Sequence, residues 1–125
     1  MTRFLMDIDD AIDLILKALQ FKGCNVIPTL KSFKVEDLFH IYNSEFGLNY
    51  EIAKPRTGEK IHEIMASSEE IRRMIFKNDD NIYLMYPNKD FDSLEFSNNE
   101  YSSRDNCLSY DELYNYLELK HYFKL

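Results

Sequence analysis

Glycine occurs only three times in this chain, at positions 23, 47 and 58, and no two lie close enough to build a phosphate cradle. That scarcity excludes a glycine-rich dinucleotide loop, which needs several glycines within one strand–helix turn. The glycines act as punctuation instead. Gly23 follows one apolar helical repeat and Gly47 follows a second. Gly58 sits inside Arg56-Thr57-Gly58-Glu59-Lys60-Ile61-His62-Glu63, a poor helix interior and a poor strand. This stretch reads as a tight turn that holds a guanidinium in a fixed place. A guanidinium is a planar fork that keeps its proton, so it suits a phosphate or diphosphate. A glycine beside it lets backbone approach a ligand closely.

The first helical repeat is Ile8, Ala11, Ile12, Ile15, Leu16 and Leu19. Asp7 can cap it, and Asp9 and Asp10 suit the positive end of its dipole. Asn25-Val26-Ile27 reads as a short strand before Pro28. A second helix begins near Lys34 or Val35, with the stripe Val35, Leu38, Phe39, Tyr42 and Phe46. Tyr50-Glu51-Ile52-Ala53 alternates and predicts another short strand. After the arginine turn, Ile61, Ile64 and Met65 are expected to point inward. Ser67-Ser68-Glu69-Glu70 and Ser109-Tyr110-Asp111-Glu112 are capping boxes, each opening a helix. Tyr110, Leu113, Tyr114 and Leu117 give the last helix its buried stripe. Ile82-Tyr83-Leu84-Met85-Tyr86 is the strongest strand signal. Residues 87–107 are the least regular segment. The sum is an α+β (α/β-like) small lobe of four helices and a few short strands, some of which could pair with a sheet elsewhere.

With 125 residues, one domain over 1–125 is expected. The net charge of −7 argues against nonspecific nucleic-acid binding and against an anionic membrane surface. It leaves room for one local basic pocket. No apolar run has the length of a transmembrane helix, and the N-terminus does not read as a signal peptide. Cys24 and Cys107 are far apart and read as free thiols, with the cytosol as the expected compartment. Three scattered histidines and two distant cysteines make no zinc motif, so no metal site is expected.

Three blocks carry a resemblance. They are Met1-Thr2-Arg3-Phe4 with the Asp9–Ile15 helix, the Arg56–Glu63 turn, and Glu100-Tyr101-Ser102-Ser103 with Leu108–Leu113. In order and rough spacing they resemble the C-terminal part of extended short-chain dehydrogenases that modify UDP-sugars. The group is that of the UDP-N-acetylglucosamine 4,6-dehydratases, polysaccharide biosynthesis proteins. The resemblance covers nearly the whole chain, and the arginine-turn block is its most specific part.

That resemblance implies several things. Arg56 would hold the diphosphate of a UDP-sugar, and Arg3 would lie near the same group. The alternatives are a salt bridge from Arg56 to Glu59 or Glu63, and an exposed terminal side chain for Arg3. Lys31 would lie near the nucleotide, although the family has its lysine two positions earlier, where this chain has Thr29. Glu59 and His62 would sit beside the sugar pocket or at an oligomer contact. Tyr101 and Ser103 would belong to a docking segment, or to a polar loop before the last helix. The family binds NAD or NADP on an N-terminal Rossmann domain that also carries its Tyr-x-x-x-Lys pair. None of that is here, so no cofactor and no catalytic residue are expected in this chain. Tyr116 and Lys120 match that spacing by chance, on the final helix. A Rossmann polypeptide would be the partner, with a homo-oligomer also open. The implied lyase reaction removes water across C5 and C6 after transient oxidation at C4. A non-catalytic interaction module is the alternative.

Overall fold

The computed structural model describes residues 1–124. Among the described residues eleven helices and strands follow one another, joined by turns and two short 3-10 segments. Strand β1 spans Thr2–Leu5, helix α1 Ile8–Ala18, β2 Asn25–Pro28, β3 Lys31–Lys34 and α2 Val35–Phe46. After an irregular stretch come β4 (Ile64–Ala66), α3 (Ser68–Arg72), β5 (Met74–Lys77) and β6 (Ile82–Met85). Strand β7 (Tyr101–Ser102) and helix α4 (Tyr110–Leu119) complete the chain. The expected α+β class, four helices with short strands, is what folds.

The strands form three small antiparallel sheets: β1 with β3, β2-β6-β5, and β4 with β7. Strand alternation splits β1 between two cores. Phe4 joins the cluster of Ile27, Ala66, Ile71, Met74 and Tyr101. Leu5 joins the cluster of Ile41, Leu113 and Leu117, to which Phe33 of the paired strand also contributes. The β1–β3 ribbon therefore ties the two cores together, and Arg3 rides on it.

The helix signals translate directly. Asp7 accepts the Asp10 N–H at 2.8 Å, and both capping boxes close reciprocally around Ser67–Glu70 and Ser109–Glu112. Gly47 ends α2 in the left-handed conformation, φ 65°. Three expectations fail. Residues 50–53 form no strand, because no partner ladder runs beside them; the Tyr50 ring stacks on Phe39 of α2 instead, at 5.3 Å. Ile61 and Ile64 face solvent and only Met65 packs inward, since pairing of β4 with β7 turns Ala66 to the core. Tyr110 is exposed, so the buried stripe of α4 narrows to Leu113 and Leu117. Helix α1 also stops at Ala18, well before Gly23.

Candidate functional site

The arginine turn folds because two backbone hydrogen bonds and one glycine conformation hold it. The Glu59 N–H bonds the Arg56 carbonyl at 3.0 Å, and Gly58 takes φ 86°, a conformation that disfavours a side chain. The Thr2 N–H reaches the Ile61 carbonyl at 2.8 Å, so the end of the turn is anchored on β1. Arg3, Arg56, Thr57, Glu59, Lys60 and Glu63 line a shallow hollow of about 350 Å³. Its charged side chains are three cations against two carboxylates, leaving one net positive charge.

The two arginines stand differently in it. Arg3 is committed. Its Nη2 lies 2.7 Å from Glu59 Oε1 and its Nε 3.7 Å from Glu63 Oε1. Its Nη1 donates to the carbonyls of Thr2 and Lys60 at 2.7 and 3.1 Å. Arg56 is exposed, and among the described residues no side chain pairs with it. Glu59 and Glu63, which the sequence offered as partners for Arg56, are used by Arg3.

Behind the turn runs a chain of small polar groups. Ser103 Oγ accepts the Glu63 N–H at 2.8 Å and lies 2.8 Å from Thr2 Oγ1. Thr2 Oγ1 in turn lies 2.8 Å from His62 Nδ1. The one direction that satisfies both hydroxyls runs from Glu63 N–H through Ser103 and Thr2 to His62, so His62 Nδ1 is assigned as the acceptor. Thr2 and Ser103 are buried. Thr2 was not among the sequence candidates. Its partners lie 60 and 101 residues away, and nothing local announces them.

The other sequence candidates fall elsewhere. Tyr101 is buried, where its hydroxyl donates to the Pro28 carbonyl and accepts the Leu30 N–H, at 3.0 and 2.7 Å. Burial pushes its pKa up. Tyr101 therefore pins the β2–β3 connection. Lys31 lines a larger groove of about 690 Å³ between α1 and α4, with its Nζ bonded to Asn106 Oδ1 at 2.9 Å. That groove carries Asp10, Asp13, Asp80 and Glu112 against Lys17 and Lys31, an excess of two negative charges unsuited to a diphosphate.

Tyr116 and Lys120 do not behave as a catalytic pair. Lys120 is held by Asp7 and, at 3.7 Å, by Asp10. Burial and the Asp7 charge raise the Tyr116 pKa, whereas an acid–base tyrosine needs it lowered. A Cβ built on any of the three glycines would meet no protein atom within 4 Å, so none of them marks a close approach of one backbone segment to another. Among the described residues no cluster of three or more His, Cys, Asp or Glu is placed to hold a metal. No described helix is long and apolar enough to cross a membrane.

The family model described as polysaccharide biosynthesis protein matches residues 1–85, which include Arg3, Lys31, Arg56, Glu59 and His62. This chain belongs to that family. A UDP-N-acetylglucosamine 4,6-dehydratase (inverting) of Campylobacter jejuni is 36% identical over 72 residues, covering 56% of this chain and 21% of that protein. An uncharacterized membrane protein of Methanocaldococcus jannaschii is 32% identical over 98 residues, 70% of this chain and 29% of that one. The X-ray structure of Pen from Bacillus thuringiensis superposes with a TM-score of 0.79 at 20% identity, over 96% of this chain and 38% of Pen. This family member thus spans between a fifth and three tenths of the curated relatives it matches.

Proposed function

We propose that this chain is the C-terminal, substrate-binding part of a UDP-sugar 4,6-dehydratase or epimerase-like enzyme. Its substrate would be UDP-N-acetylglucosamine, in cytoplasmic nucleotide-sugar metabolism for surface polysaccharides. A Rossmann part completes the enzyme, and residues 1–125 without it are inactive. The observation that carries this reading is the unpaired guanidinium of Arg56, fixed on the Gly58 turn and sharing a net-positive hollow with Arg3. A diphosphate offers both arginines charge-assisted bonds, stronger than the exposed pairs Arg3 makes now. The membership of residues 1–85 in a polysaccharide biosynthesis family, and the dehydratase relatives, support the substrate class.

In this scheme the chain binds and orients. Arg56 takes the diphosphate, and Arg3 turns part of its fork from Glu59 toward it. The His62–Thr2–Ser103 chain keeps the turn against β1. Hydride and proton transfer, with loss of water across C5 and C6, belong to the partner. Calorimetric titration of the chain with UDP tests the reading. Binding that Arg56→Ala weakens about tenfold or more is the expected result, and no binding with or without a Rossmann partner overturns it.

One observation favours a second reading, a non-catalytic interaction module. Both carboxylates of the hollow already occupy Arg3. Under that reading the ion pairs are the site's resting chemistry, and UDP leaves them undisturbed.

A further inference from the structure

All three strands of the β2-β6-β5 sheet stop at one row. Asn25 of β2 faces Met85 of β6, and Met85 faces Met74 of β5. The residues just outside that row leave the sheet together. Gly23, Cys24, Arg73 and Pro87, with Asn25 and Met85, line a hollow of about 380 Å³. Small-molecule sites have volumes of about 300–1,000 Å³. The hollow shares no residue with the one at the arginine turn, and Arg73 is the charged group that lines it.

The backbone of Arg73 is fixed. Its N–H bonds the Glu70 carbonyl at the end of α3, and its carbonyl accepts the Tyr86 N–H, both at 3.0 Å. Its half-buried side chain, by contrast, is poorly satisfied. Nη1 stands 3.5 Å from the Pro87 carbonyl, at the outer limit of a hydrogen bond. Nε is enclosed and has no acceptor among the described residues. A buried N–H without a partner is rare in a folded protein and points to a missing group. Acid is not scarce, with 22 Asp and Glu against 15 Lys and Arg. The neighbouring Arg72 takes both Asp90 and Asp92, and Arg3 and Arg104 are also ion-paired. The carboxylate whose pKa Arg73 helps to lower, Glu70, spends its Oε2 on Ser67. Arg73 is thus left with no ion pair among the described residues, on a chain rich in carboxylates.

We propose that this hollow binds the carboxylate of a small organic acid, at a second anion site independent of the arginine turn. With Nη1 turned to Pro87, the edge formed by Nε and Nη2 is the open side of the guanidinium fork. A carboxylate matches that edge with two parallel charge-assisted bonds. A small turn of the half-buried side chain brings the enclosed Nε to the ligand. Asn25 is exposed on the rim and can supply a further donor, while Met85 and Pro87 give the acid's carbon chain an apolar wall. One cation balances one negative charge, so a monocarboxylate suits this hollow and a diphosphate does not.

The test titrates the isotope-labelled full chain with sodium propionate at constant ionic strength. NMR follows the Arg73 Nε–H and the amides of Cys24 and Asn25. Saturable shifts confined to these groups are expected, with a Kd on the order of 1–10 mM. Arg73→Gln should weaken binding about tenfold or more. Arg73→Lys keeps the charge, loses the fork and should weaken it about fivefold. Arg56→Ala should leave it unchanged. Urea denaturation checks that the variants fold, and the map on the unaltered chain stands without them. Shifts that grow without saturating, spread over the surface or persist in Arg73→Gln overturn the proposal. Chloride producing the same shifts, or inorganic phosphate binding there more tightly than propionate, overturns it as well.

Discussion

Arg3 Nη2 lies 2.7 Å from Glu59 Oε1, and this contact sets the resting charge of the hollow that Arg56 shares. Neither partner is deeply buried, at 23% and 35% exposure, so the pair is held by about 1 kcal/mol at most. A diphosphate can compete for it.

Glu59→Gln should therefore release Arg3 and tighten UDP binding by up to about fivefold, most at low salt. Arg56→Ala should weaken it about tenfold or more, the size of a lost hydrogen bond to a charged group. Calorimetry at two salt concentrations checks both. Unchanged affinity in Glu59→Gln would mean that Arg3 has no part in binding.

Ser103→Ala should destabilise the fold by about 1–3 kcal/mol, read by urea denaturation. It leaves the part-buried Glu63 N–H and the buried Thr2 hydroxyl each short of a partner. Thr29→Ala removes a bond of the same length, 2.8 Å, but an exposed one to Asn81, and should cost about 0.5 kcal/mol or less. Equal losses would show that the polar chain behind the turn has no special weight.

Acid should weaken the fold through three carboxylates. Asp7 is held below its ordinary value of 3.8 mainly by the Asp10 N–H, and then by Lys120. Glu70 and Glu112 are held below 4.5, each chiefly by the backbone N–H of its capping serine. Their folded pKa values lie under the unfolded ones. Their stabilisation is present above the unfolded values and is lost as pH falls through the folded ones. Stability should hold near neutrality and decline once pH drops below about 4.5. Glu70→Gln with Glu112→Gln, which removes both titrating carboxylates, should flatten that decline, measured as the denaturation midpoint against pH. Lys120 has the opposite sign. Its bond to Asp7 raises its pKa, so its contribution is present below its unfolded value and fades in strong alkali.

How much of this was legible in the sequence follows from the range of each interaction. The capping boxes at Ser67 and Ser109, the Asp7 cap and the Gly47 stop involve neighbours within a few residues, and all were readable. Strands β1, β3 and β5 have four residues each, and partners from elsewhere in the chain decide them, so no local pattern announced them. The Tyr50–Ala53 alternation is the converse case, a pattern without a partner. In the site, the arginine turn was visible as a motif. The assignment of Glu59 and Glu63 to Arg3 instead of Arg56 was not, because β1 lies more than fifty residues away in sequence. The α1 stripe was read from its period, but periodicity says only that a face is apolar, not what covers it.

Gly58→Ala tests whether the turn's backbone, and not merely its charge, aims Arg56. A Cβ at position 58 would meet nothing within 4 Å, so no clash is expected. The cost is conformational: φ 86° lies where L-residues rarely go, at about 1–2 kcal/mol for a non-glycine residue. The turn can avoid that cost by relaxing, because among the described residues one hydrogen bond, Glu59 N–H to the Arg56 carbonyl, closes it at Gly58 and no side chain pairs with Arg56. Relaxation should move the guanidinium while leaving the hollow's charge unchanged. Stability should thus fall by less than the full strain, while UDP affinity falls by about threefold to tenfold. Gly47→Ala is the control, since φ 65° at the end of α2 carries similar strain far from the hollow in sequence. It should lose stability and keep affinity. Equal affinity in both variants would mean that the diphosphate site does not depend on the geometry of this turn.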